Sequence, residues 1–205
     1  NENANETART GKLLIVSNRL PFTVHRRQGQ LHLEQSSGGL ATGLSSFYRT
    51  YDALWIGWPG IDKSDVGADR ERLTQQLLAE KCFPVFLSRY DVDEYYNRFS
   101  SGTIWPLFHY FPLYATYSNT SWKAYEKVNR MFCDAVVEKW QQGDTIWVHD
   151  FHLMLLPRML RERLPDPTIG FFLHIPFPSL ELFRLLPWRV QLPEGLLGDD
   201  LAGFH

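Results

Sequence analysis

The feature that most constrains this chain is an alternation: short apolar runs, each the length of a buried strand, are separated by stretches with helical spacing. Parallel strands are buried on both faces and need helical crossovers, so the pattern predicts an α/β fold, a mostly parallel sheet flanked by helices. Strands are expected at residues 12–16 (KLLIV), 54–58, 84–87, 145–148 and 169–173, with one more opening at 201–204. Residues 24–34 read as a hairpin turning at Gln28-Gly29. Helices are expected over 38–50, 69–81, 121–140, 153–163 and 180–186. The clearest is 121–140. There Trp122, Tyr125, Val128, Phe132, Val136 and Trp140 recur at steps of three and four, and Gly143 stops the helix. The aromatic-rich stretch 90–117 predicts two short helices with turns at Ser101-Gly102 and Trp105-Pro106.

At 205 residues the chain has room for one sizeable core. The polar stretch NENANETART at 1–10 is expected to be a flexible tail, leaving residues 11–205 as the domain. Lysine plus arginine (21) nearly balance aspartate plus glutamate (23), and no basic run or basic helix face is evident. Nucleic acid and anionic membrane are therefore not expected partners. Without an apolar run of roughly 18 to 20 residues, no membrane span is expected either. Cys82 and Cys133 have no metal-ligand spacing around them and read as a reduced, buried pair in a cytoplasmic protein.

In open parallel sheets, ligands bind beyond the carboxyl ends of the strands. Four such ends carry unusual residues: Ser17-Asn18-Arg19, Pro59-Gly60, His149-Asp150-Phe151-His152, and His174-Ile175-Pro176. Arg19 could clamp a phosphate with its forked guanidinium, or be a solvated arginine at a strand end. Asp150 could accept sugar hydroxyls, or cap the helix at 153–163. His174 could donate to a hydroxyl or a developing negative charge, or be a satisfied core histidine. Trp58, Tyr96 and Trp105 could face a sugar or pack in the core. Gly39, in the run SSGGLATG, could bring its backbone N–H to a phosphate at a helix start, or mark a turn. His149, Asp150 and His152 also invite a metal reading, but strand alternation should aim the first two apart and no second ligand cluster appears. A nucleophile elbow and a phosphate loop of the Gly-Lys type are both absent from the sequence.

Taken together, seven motifs resemble the trehalose-6-phosphate synthase family: SNRLP at 17–21, SSGGLATG at 36–43, WIGWPG at 55–60, DEYYNRFS at 93–100, TIWPLFHY at 103–110, WVHDFHLMLLPRMLR at 147–161, and IGFFLHIPFPSLELFRLLP at 169–187. They stand in family order and cover the chain from Gly11 onward. The resemblance implies the N-terminal, Rossmann-like half of a GT-B glycosyltransferase, ending before the donor-binding domain. It implies transfer of glucose, with retention and without a metal or other cofactor, from UDP-glucose (or another nucleotide glucose) to glucose-6-phosphate. By motif, Arg19 would bind the acceptor phosphate, and Tyr96, Trp105, Asp150 and nearby Trp58 would line the acceptor sugar. Gly39 would meet the donor diphosphate, and His174 the transferred glucose near the reaction centre. Asp150 and His174 are thus the catalytic candidates. Phe151 departs from the family's usual tyrosine. A synthase using another phosphorylated acceptor such as glycerol-3-phosphate, and a non-catalytic sugar-phosphate-binding module, stay open as alternatives, as does homo-oligomerisation.

Overall fold

The computed structural model describes residues 11–36, 39, 43, 44 and 52–204. The expected tail at 1–10 and most of the expected helix at 38–50 lie outside them. Strand β1 (Leu13–Arg19) is followed by a hairpin of β2 (Phe22–Arg27) and β3 (Gln30–Gln35). Its turn is at Gln28 and Gly29, whose φ values of 50° and 79° are those a two-residue hairpin turn requires. Then come β4 (Ala53–Trp58), α1 (Arg70–Ala79), β5 (Cys82–Pro84), α2 (Asn119–Lys139), β6 (Thr145–His149), α3 (Leu156–Arg163), β7 (Thr168–Leu173), α4 (Gln191–Leu196) and β8 (Leu201–Phe204).

All strands outside the hairpin form one parallel sheet in the order β5-β4-β1-β6-β7-β8. Counting only those strands along the chain, this is the 3-2-1-4-5-6 order of a Rossmann-like fold. The direction of winding reverses between β1 and β6, and that crevice is where the fold class places its ligands.

Alternate residues of β1 serve two cores. Leu14 and Val16 join the larger cluster, which includes Tyr125, Val128 and Phe132 of α2 and Leu160 of α3. Ile15 faces the smaller one, with Phe22 and Val24 of the hairpin and Leu73 and Leu77 of α1. Each fully buried side chain of this kind contributes about 1.5–3 kcal/mol. Of the apolar stripe expected on α2, Trp122 to Val136 are buried while Trp140 is half-buried just past the helix end, and the helix starts where Ser118 Oγ accepts from Ser121 N at 3.3 Å. Cys82 and Cys133 are both buried, one in each cluster. Among the described residues no helix is long and apolar enough to cross a membrane.

The structure corrects several element boundaries. β1 runs on through Arg19 instead of ending at Val16, with a register jump between those two residues. The strand expected at 84–87 is Cys82–Pro84. Pro84 has no N–H to offer the ladder, and after Val85 N bonds Gly57 O (2.8 Å) the chain leaves the sheet, still buried. The stretch 90–117 turns neither at Ser101-Gly102 nor at Trp105-Pro106, which opens the helical turn Trp105–Phe108. A capping box of Ser88 and Asp91 opens a continuous helical run whose residues Val92–Ile104 are π-helical. The buried Ser100 hydroxyl donates to Tyr95 O, five residues back, at 2.9 Å, which suits the wider turn. The helix expected at 153–163 begins at Leu156, preceded by a tight turn at Phe151–Leu153, and that at 180–186 is shorter, Leu180–Phe183. α4 has no counterpart in the sequence reading.

Candidate active site

A cleft of about 740 Å³ opens at the reversal between β1 and β6. One end is built by the carboxyl end of β1. The bulge there turns Ser17 and Asn18 inward, where both are buried. Ser17 Oγ accepts the Trp55 indole N–H at 2.7 Å and donates to Arg19 O at 2.8 Å. Asn18 Oδ1 accepts from Tyr95 Oη at 3.0 Å. These bonds fix the backbone on both sides and release Arg19 into the cleft. Its Nη2 donates to Thr23 Oγ1 at 2.8 Å, Thr23 Oγ1 lies 2.9 Å from Ser36 Oγ, and the guanidinium sits 4.7 Å from the Trp58 ring centroid. Burial lowers the Arg19 pKa, but an arginine keeps its charge over any working range of pH. Among the described residues no carboxylate pairs with it. Glu34, also on the cleft wall, is instead near His25 and Arg27 at 3.6 and 3.7 Å.

The other end is built by the residues after β6 and β7. Asp150 has φ 77°, a left-handed backbone that a non-glycine residue adopts at a cost. Its Oδ1 accepts from Phe151 N (3.0 Å) and His174 N (3.2 Å), while its own N donates to Phe172 O (2.8 Å). So the carboxylate ties two strand ends together through one oxygen. Oδ2 carries no hydrogen bond among the described residues. The capping role weighed for Asp150 is present, but for the turn at Phe151–Leu153 rather than for the helix that follows.

Three imidazoles surround that carboxylate. His149 is buried and its Nδ1 lies 3.0 Å from His174 Nε2. Burial, and secondarily the neighbouring His174, pushes His149 down to about 3. His152 stacks on Tyr96 at 5.5 Å between centroids, and burial pushes it down to about 4 against the opposing pull of Asp150. Both rings are therefore neutral near pH 7. His174 itself is exposed rather than a core histidine.

Of the residues singled out in the sequence, Arg19, Gly39, Tyr96 and Asp150 line the cleft, and His174 adjoins it through His149 and Asp150. Trp58 lies behind Arg19, its indole N–H given to Ile61 O at 3.0 Å. Trp105 is not brought to the cleft; it is 44% exposed and stacks on His109. His149 and His152, read as strand-end residues, and Ser36, which opens the glycine run, also line the cleft; Thr23, which bonds Arg19, is a lining residue the sequence reading did not mark. Thr23 stands four residues beyond Arg19 in the next strand, the one local signal that could have marked it. Among the described residues no group of three or more His, Cys, Asp or Glu side chains is placed to hold a metal ion.

Comparison with known proteins agrees with this architecture. The family model described as Glycosyltransferase family 20 matches residues 11–205. The UDP-forming alpha,alpha-trehalose-phosphate synthase 1 of Aspergillus fumigatus is 46% identical over 208 residues, 98% of this chain and 40% of that protein. The solved trehalose-6-phosphate synthase from E. coli bound with UDP-2-fluoro glucose superposes with a TM-score of 0.75 at 34% identity, over 95% of this chain and 40% of that one. A Burkholderia xenovorans synthase in complex with glucose-6-phosphate gives 0.75 at 30% identity, over 95% and 40%. This chain thus spans about 40% of the length of relatives such as the Aspergillus synthase. Its mostly parallel six-stranded sheet flanked by helices is the Rossmann-like fold class of these GT-B glycosyltransferase neighbours. A strand order, a cleft at its reversal and a match over nearly the whole sequence lead to one assignment: the chain belongs to glycosyltransferase family 20.

Proposed function

We propose that residues 11–205 form the acceptor-binding domain of a retaining glucosyltransferase that moves glucose from UDP-glucose to glucose-6-phosphate, forming trehalose-6-phosphate. The observation that carries this reading is Arg19, a half-buried cation with no carboxylate partner among the described residues, held at the strand-order reversal beside two hydroxyls. A phosphate monoester is the natural complement of such a fork. The names of the family relatives, which are UDP-forming synthases, support the same donor and product.

In this reading the acceptor lies along the cleft. Its phosphate meets Arg19, Thr23 and Ser36, its ring packs beside Tyr96, and its hydroxyls reach Asp150 Oδ2. Trp58 backs Arg19, and Trp105 would join the acceptor sugar only after a rearrangement of its surroundings. Gly39 offers its N–H to the donor diphosphate and His174 reaches the transferred glucose. The bond from the anomeric carbon to the diphosphate breaks while the bond to the acceptor oxygen forms on the same face. The acceptor proton passes to the leaving phosphate oxygen, and UDP departs. Positioning of this kind lowers a barrier by about 7 to 11 kcal/mol in ideal cases. The buried cysteines suit a reducing, cytoplasmic setting.

The remaining donor contacts are assigned to polypeptide outside this stretch, so the 205-residue chain alone is expected to form no trehalose-6-phosphate. The complete synthase is expected to use glucose-6-phosphate and to ignore glycerol-3-phosphate. Turnover of UDP-glucose with each acceptor decides it: product from the isolated chain, or a preference for glycerol-3-phosphate, would sink the proposal.

A further inference from the structure

We infer that His149 sets the tautomer of His174, keeping the His174 proton on Nδ1, and is a positioning residue for the transfer; this rests on the reading of His174 given above. The contact is His149 Nδ1 to His174 Nε2 at 3.0 Å, and with His149 held neutral by burial one of these nitrogens must donate and the other accept. The other nitrogen of His149 decides which. Its Nε2 is buried and has no hydrogen-bond partner among the described residues. If Nδ1 accepted, the His149 proton would sit on Nε2 as a buried N–H with no acceptor, the rarer and costlier kind of orphan. If Nδ1 donates, only a bare lone pair is left buried. The second arrangement is therefore favoured, and it makes His174 Nε2 an acceptor. The proton of His174 must then be on Nδ1, whereas a free neutral imidazole side chain favours Nε2–H.

The surroundings hold the pair in place. The His149 ring lies 4.4 Å from Trp147 and 5.3 Å from His174, centroid to centroid, and Phe172 is 4.7 Å from His174. Asp150, the one charged group among these contacts, fixes the His174 backbone N–H through Oδ1 rather than either ring. Burial keeps His149 neutral, so it can serve as a one-proton donor of fixed direction. His174 accordingly presents a single ring donor, Nδ1–H, whose direction no longer depends on which tautomer solvent would select. The hydroxyl of the transferred sugar is the group it is suited to meet.

Two measurements test this. Long-range proton–nitrogen correlation spectra of the complete synthase should find Nδ1 protonated in both His149 and His174, with both Nε2 atoms bare. A proton on His149 Nε2 would overturn the inference. In the complete synthase, His149→Phe keeps the bulk and removes the donor. It is expected to lower kcat about tenfold, with the glucose-6-phosphate KM within about twofold. His149→Asn places an amide N–H near the former Nδ1 and is expected to stay within about threefold of the wild type. A purely structural role would lower both variants alike, and that result would also overturn it. His174→Ala separates the two readings. Unchanged kcat in that variant would reject the role of His174 itself, whereas a loss there with full activity in His149→Phe would reject only the tautomer inference.

Discussion

The two ends of the cleft present opposite electrostatics. At the β1 end a permanent cation is half-buried among hydroxyls and an indole face, so its attraction for an anion is long-ranged and independent of protonation state. At the β6–β7 end the groups are neutral imidazoles and one tethered carboxylate, which act through short directed hydrogen bonds. The difference separates two tasks. On the proposed reading, charge recruits and holds a phosphorylated acceptor, while orientation at the opposite end prepares the hydroxyls that react.

Removing the charge should produce the largest effect. Arg19→Ala loses charge-assisted hydrogen bonds worth roughly 1.5 to 3 kcal/mol, so glucose-6-phosphate binding to the complete synthase should weaken by about 10- to 150-fold. UDP-glucose binding should be nearly unchanged. Arg19→Lys should recover part of the loss, since the charge returns without the fork. Titration calorimetry with each substrate is the measurement, and equal loss for both would dissolve the contrast between the ends.

The imidazole end should reveal itself through pH instead. His149 and His152 fall from an ordinary 6.5 to about 3 and about 4 on folding. The unfolded chain therefore binds protons that the folded one refuses. Their contribution is fully present above about pH 6.5 and is lost progressively as pH falls toward the folded values. Each histidine then costs about 1.4 kcal/mol of stability per pH unit, which gives roughly 2–3 kcal/mol for the pair between pH 7 and pH 5.5. Denaturant melts across that range measure it, and His149→Phe should flatten the slope by about half. A stability that does not change down to pH 5 would mean these rings are not buried in solution.

Asp150→Asn sharpens the comparison by keeping shape and removing charge. An amide oxygen still accepts from Phe151 N and His174 N, and asparagine tolerates the positive φ, so melting should shift by no more than about 0.5 kcal/mol. Oδ2 becomes an amide nitrogen, and acceptor kcat/KM should fall about tenfold or more. Wild-type kinetics would leave Asp150 as a strand-end tether only.

The sequence carried the two ends unequally. Strands such as KLLIV are legible because an apolar run between helical patterns has few other solutions, and Arg19 stands out as a cation after such a run. The polar residues Ser17 and Asn18 hid the true length of β1, since their burial depends on Trp55 and Tyr95, 38 and 77 residues away. Likewise the π-helical turn at 92–104 depends on a hydroxyl bonding five residues back, which hydrophobic periodicity does not encode. His149 and His152 read as metal candidates because the sequence does not tell which way each ring faces. The structure turns one onto His174 and the other onto Tyr96.

The smallest expected effect isolates the geometry of the charged end. Gly60 has φ +80°, and a Cβ built there would meet Arg19 Nη2 at 2.5 Å and Cζ at 2.8 Å. Gly60→Ala therefore does two things. The backbone conformation costs about 1–2 kcal/mol of stability whatever happens at the cleft. Separately, the methyl group pushes the guanidinium away from Thr23, and because the far end of an arginine can shift, the loss of glucose-6-phosphate affinity should be only about 3- to 10-fold. A double-mutant cycle with Arg19→Ala tells the two apart. In the Arg19→Ala background the alanine at position 60 has no guanidinium to displace, so the stability cost should persist while the affinity loss disappears. If affinity falls equally in both backgrounds, the glycine acts through the loop backbone alone, and the fit of Arg19 against Gly60 contributes nothing to holding the acceptor.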